Sequence, residues 1–222
     1  MTKLHALLLA ILVCSIPTSG CLGPGSTLRP ESQCIQEGRA RPICLFQNPE
    51  DLAPLPKGDA LIASEYAAPD GSRPGRLSLF LLETEEHRVL YTGGEAGDEK
   101  PAWGADDCPG PPPLNFSPHG IHVSERADGA LQLLVVQHAG RESVEFFEVR
   151  GAGIDRSLAW RGCAVAPARA WLNAVAAVPG GGFVTTSMME RLGTDADQSE
   201  ALHAPISSGY VATWSAAEGF GL

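Results

Sequence analysis

The longest uninterrupted pattern in this chain is Leu114–Val149, where apolar and polar positions alternate, then fuse into an apolar run, then alternate again. Ile121 and Val123 alternate with polar neighbours, a turn follows at Asp128-Gly129, and Leu131–Val136 is almost entirely apolar. Ser143–Val149 closes the phrase. Period-two alternation predicts strands, and the short apolar run bounded by turn residues predicts a very apolar strand between them. The phrase recurs. Glu50-Asp51-Leu52 opens a unit with a turn at Lys57-Gly58-Asp59 and strands at Ala60–Ser64 and Arg76–Leu82. Asn173-Ala174-Val175 opens another, with a turn at Pro179–Gly182 and strands at Phe183–Ser187 and Gly209–Trp214. Repetition of one strand–turn–strand–loop–strand phrase predicts the blades of a β-propeller, in which the first strand of each blade lines a central channel.

That geometry gives the leading residues a meaning. Glu50, His119 and Asn173 are far apart in the chain, yet each heads an innermost strand, so a radial fold brings them to one axis. A carboxylate, an imidazole and a carboxamide converging there form a candidate site. Composition agrees with the fold. Gly 25 and Pro 18 make up about a fifth of the 222 residues, which suits many short strands and turns. Outside the N-terminus no segment sustains a helical apolar period, so the fold class is all-β.

The N-terminus reads differently. Lys3 precedes the apolar run Leu7–Ile16, which has the length of a signal-peptide core and is short for a bilayer span. Residues 1–20 are therefore expected to be a signal peptide, 21–43 a linker and N-terminal segment, and 44–222 the propeller domain. Thr18-Ser19-Gly20 before Cys21 resembles a lipobox, so lipid anchoring at Cys21 and ordinary cleavage nearby both stay open. Either way an exported protein is expected: periplasmic, outer-membrane lipoprotein or secreted, with membrane attachment only through a lipid. The formal charge is −10, which argues against nucleic acid as a partner.

Of the six cysteines, Cys14 falls in the signal peptide and Cys21 at the expected cleavage site. Cys34, Cys44, Cys108 and Cys163 remain, an even set in an exported chain, and predict disulfides. Proximity within the repeats favours Cys34–Cys44 and Cys108–Cys163 among the three pairings. The Gly93–Pro113 loop, rich in Gly, Pro and acid, runs directly into His119 and is expected to cross the channel mouth. His87, His122 and His203 are expected at the surface.

Several of these segments together resemble the paraoxonase/arylesterase family, relatives of the gluconolactonase and strictosidine-synthase-like propellers. They are Ser117-Pro118-His119-Gly120-Ile121, Val135-Val136-Gln137-His138, Ser143-Val144-Glu145-Phe146-Phe147, Asn173-Ala174-Val175 and Pro49-Glu50-Asp51-Leu52. The resemblance implies a six-bladed calcium-dependent propeller that hydrolyses lactones and aryl esters, with about half to two-thirds of the blades in this chain. It implies His119 as the catalytic histidine with His138 behind it, and Glu50 and Asn173 as ligands of a catalytic calcium. Asp51 and the carbonyl of Ile121 would serve a second, structural calcium. Ala174 stands where the family has Asp, and Gln137 where it has Asn. A small-molecule lactone or ester is the implied substrate. A non-catalytic propeller fragment that binds a ligand or protein, or an inactive truncated product, is the alternative from another class. A metal-free strictosidine-synthase-like propeller is a third, against which Glu50 and Asn173 weigh.

Overall fold

The computed structural model of the chain describes Cys34 and residues 38–95, 103–191 and 209–221. The expected signal peptide, Cys21 and His203 lie outside them. The chain forms two compact units, Met1–Pro42 and Ile43–Leu222, and the architecture below is that of the second.

Three antiparallel sheets follow one another, each of four strands paired in simple chain order. The first holds β1 (Pro49–Pro54), β2 (Ala60–Glu65), β3 (Arg76–Leu81) and β4 (His87–Tyr91). The second holds β5 (Pro118–Glu125), β6 (Leu131–Gln137), β7 (Ser143–Arg150) and β8 (Ser157–Val165). The third holds β9 (Ala170–Ala177), β10 (Phe183–Glu190), β11 (Tyr210–Ser215) and β12 (Gly219–Gly221). A single 3-10 turn, Gly153–Asp155, is the only helical element among the described residues. Three consecutive four-stranded meanders, stacked face to face with their first strands adjacent, are blades of a β-propeller.

The expectation of three strands per unit is corrected to four. The outer strands β4, β8 and β12 were not anticipated, and Gly209–Trp214 corresponds to a third strand rather than an outer one. β4 reads half-buried or exposed at four of its five positions, and β12 is only three residues long.

The second blade explains the apolar run. Leu133 and Val135 of β6, with Phe147 of β7, face the first blade and pack with Ile62, Leu77, Leu79, Tyr91 and Phe116. Leu134, Val136 and Phe146 face the third blade and pack with Leu172, Phe183 and Trp214. A strand covered on both sides loses the polar half of its alternation, because no position reaches water. Phe183 and Trp214 stack at 5.3 Å, with Phe146 tilted against both.

The loop before β5 follows a different course from the expected one over its described part. Trp103 and Ala105 donate their amides to the carbonyls of Arg161 and Cys163, extending the second blade past β8. Trp103 sits between the guanidinium groups of Arg126 and Arg161, 4.3 and 4.6 Å from its ring. Cys108 and Cys163 are joined at an S–S distance of 2.00 Å, pinning this loop to β8. Cys34 and Cys44 each take part in a disulfide. The loop then turns inward, where Arg141 donates to the carbonyl of Gly110.

Candidate functional site

All three innermost strands break register at the same place. In β1 the ladder slips between Pro49 and Asp51, leaving Glu50 as the extra residue. In β5 it slips between Pro118 and Ile121, around His119 and Gly120. In β9 it slips opposite Thr185 and Ser187, around Asn173 and Ala174. A bulge inserts one residue, bends its strand and re-aims the side chains there. Glu50, His119 and Asn173 thus owe their placement to one repeated irregularity.

Each bulge also frees a backbone N–H, and each finds a side chain. Ser64 Oγ accepts from Asp51 at 3.1 Å, and Thr186 Oγ1 accepts from Ala174 at 3.1 Å. Asp51 Oδ2 accepts from Ile121 at 2.9 Å, tying the first blade to the second. The other Asp51 oxygen accepts the amide of Leu52 at 2.8 Å.

His119 stands between its sister strands. Its Nδ1 lies 3.2 Å from the main-chain carbonyl of Asn173, and its Nε2 lies 3.3 Å from Glu50 Oε2. A carbonyl only accepts, so Nδ1 carries the hydrogen and Nε2 is left with the lone pair in the neutral ring. That lone pair faces a carboxylate. Two acceptors at this distance call for a cation between or beside them, whether a proton or a metal. The His119 side chain is 19% exposed and Glu50 34%, so the pair is open to solvent.

Gly120 permits this approach. A Cβ built there would stand 2.1 Å from the carbonyl oxygen of Asn173 and 2.8 Å from the Cα of Ala174, both backbone atoms of β9. Only glycine lets β5 come close enough for His119 to reach that carbonyl.

Behind His119 lies His138, its ring centre 5.2 Å away and its side chain 4% exposed. The His138 amide donates to the carbonyl of Ser117 at 3.2 Å, which anchors it to the start of β5. Gln137, fully buried, accepts from the Ser117 amide at 2.8 Å and holds the same junction. Tyr66 packs against both imidazoles, at 5.7 Å from His119 and 5.8 Å from His138. Glu142 receives His138 Nδ1 on both carboxylate oxygens, at 2.9 and 3.0 Å. Sequence reasoning identified the two histidines and missed Tyr66 and Glu142. Both belong to connections between strands, where no periodicity marks a residue as inward-facing. His122 and His87 are not purely superficial: His122 Nδ1 accepts the Ala177 amide at 3.2 Å, and His87 packs edge-on against Phe46.

The donor set can be weighed against calcium. Glu50 and Asn173 offer hard oxygen atoms beside His119, the kind calcium takes, although calcium needs about six to eight. They match such an ion in the kind of donor atom alone. Both Asp51 oxygens accept amides, those of Leu52 and Ile121, and the Ala174 side chain brings no oxygen. Among the described residues no group of three or more His, Cys, Asp or Glu is arranged to hold a metal.

No family model matches this chain, and no curated protein does. Among solved structures it is similar to an oxidoreductase (glucose dehydrogenase), provisionally so assigned, from Thermus thermophilus. The two share 18% identity with a TM-score of 0.36, over 64% of this chain and 37% of that one. The chain thus spans little more than a third of the length of the structure it matches.

Proposed function

We propose that this propeller is an exported calcium-dependent hydrolase of lactones or aryl esters. The observation that carries the reading is His119, held at Nδ1 by a carbonyl of β9 while its free Nε2 faces the carboxylate of β1. Glu50 and Asn173 would hold the calcium. The chemistry such an ion supplies is polarisation of the substrate carbonyl and stabilisation of the charge that develops on its oxygen.

The chain's own residues do the rest. With Nδ1 committed to the Asn173 carbonyl, His119 has one position, Nε2, that can take a proton from an attacking water. The Asn173 carbonyl holds the ring's orientation through that step and favours the imidazolium that follows. His138 and Tyr66 pack the inner side of His119 and close it to water from behind, so the proton is exchanged at the open channel face. The disulfide-bonded cysteines suit an oxidising compartment.

The test is hydrolysis of a lactone and of an aryl ester by the purified full-length chain, with calcium and with a chelator. Chelation should abolish turnover, calcium should restore it, and His119→Gln should lose it with the fold intact. Turnover that ignores chelation would contradict the mechanism. The small donor set favours a second reading, a propeller module that binds a ligand or protein without catalysis. Calcium-independent binding of a lactone with no turnover would select it.

A further inference from the structure

The site contains a buried carboxylate that the hydrolysis scheme leaves unused. Glu142 sits in the loop between β6 and β7, its side chain 9% exposed, four residues beyond His138. Its Oε1 accepts the amide of Leu172 in β9 at 2.7 Å, and its Oε2 lies 3.2 Å from Arg191. Its own carbonyl accepts the Ala166 amide at 2.9 Å. The preceding residue is fixed as well, since Arg141 donates to the buried Glu145 at 2.8 and 3.1 Å. The carboxylate is therefore held from two blades and cannot swing away from His138.

An ionised carboxylate only accepts hydrogen bonds. Both its oxygens lie within 3.0 Å of His138 Nδ1, so that nitrogen carries a hydrogen. The lone pair of the neutral ring is then confined to Nε2. The partner of one imidazole nitrogen decides the role of the other.

We infer that Glu142 is a positioning residue: it fixes the buried His138 as its Nδ1–H tautomer and so leaves Nε2 as the one ring nitrogen that can receive a proton. Glu142–His138–His119 then forms a line from the inter-blade wall to the open face of the channel. The tautomer follows from the geometry alone; its use in hydrolysis rests on the function proposed above.

The test reads the tautomer directly. The full-length chain, labelled with 15N in its imidazoles, is examined by long-range proton–nitrogen correlation at a pH of about 8, above the usual imidazole range. The wild-type chain should show His138 protonated at Nδ1 with a lone-pair nitrogen at Nε2. Glu142→Gln keeps an oxygen for the Leu172 amide but offers His138 an amide N–H, so His138 should move to the Nε2–H form. Glu142→Asp keeps the carboxylate and should retain Nδ1–H. Circular dichroism checks the fold of each variant. Lactone turnover under Glu142→Gln should fall about 10- to 100-fold in kcat with KM little changed, the range seen when a group orienting a functional histidine is removed. A wild-type His138 in the Nε2–H form overturns the inference without reference to any variant. A folded Glu142→Gln with unchanged tautomer and kcat overturns it too. The expected tautomers in a chain that hydrolyses nothing sustain the positioning role and overturn the hydrolase reading instead.

Discussion

Replacing Gly120 with alanine tests whether the close approach of β5 to β9 builds the site. The added Cβ would meet the Asn173 carbonyl oxygen at 2.1 Å, and bringing that contact to 3.4 Å parts the strands by roughly 1 Å. The same oxygen accepts from His119 Nδ1 at 3.2 Å, so the separation ends that hydrogen bond. Overpacking costs about 1–3 kcal/mol and the lost bond about 1. Alanine also restricts the unfolded chain, which returns about 0.4–1 kcal/mol. The net expectation is a loss of about 1–3 kcal/mol, read as a lower urea midpoint at unchanged slope. Gly129→Ala is the control. Nothing lies within 4 Å of its Cβ, and its φ of +81° makes the cost one of backbone strain alone, about 1–2 kcal/mol. The two variants should resemble each other in stability and differ at the site, with the His119 Nδ1–H signal and any turnover lost only in Gly120→Ala. A Gly120→Ala chain within about 0.5 kcal/mol of wild type, with the His119 signal intact, would refute the reasoning.

Two further outcomes follow from the blades themselves. The Cys108–Cys163 bridge spans a separation of 55 residues. Loop-closure entropy gives it about 4 kcal/mol, so the Cys108→Ser/Cys163→Ala chain should unfold at a much lower denaturant midpoint. Glu148 has its carboxyl pKa lowered, first by its hydrogen bond to Arg150 and then by Arg161. The unfolded state therefore binds its proton more readily, and this contribution is present above the ordinary carboxyl range and lost as pH falls through the lowered folded value. The Glu148 side chain is 20% exposed and its Arg150 partner 35%, so solvent screening limits the effect, and Glu148→Gln should flatten the acid limb of the stability curve by less than about 1 kcal/mol.

Much of the architecture is written in local pattern. Leu131–Val136 has no polar alternation because the second blade is covered on both faces, and that run marks it as the middle of the stack. β10 keeps alternating, with Val184, Thr186, Met188 and Glu190 more open than their neighbours, because its outer face lacks a described blade. The outer strands could not be read this way. A Gly-Phe-Gly strand such as β12 is held by its ladder to β11 and by one ring, Phe220 against Phe183, too little to mark a strand by periodicity.

The site divides along the same line. By itself the sequence determined the repeats, the residues that head them and the even set of cysteines. Those are properties of spacing and residue type, which a linear chain carries whole. Only the tertiary structure decided the bulges at Glu50, His119 and Asn173, because a register slip belongs to two paired strands. It also decided that Asp51 would hold the Ile121 amide and that Glu142 would hold His138. A buried polar atom takes whichever partner the packed blades bring within about 3 Å, and that partner need not be near it in the chain.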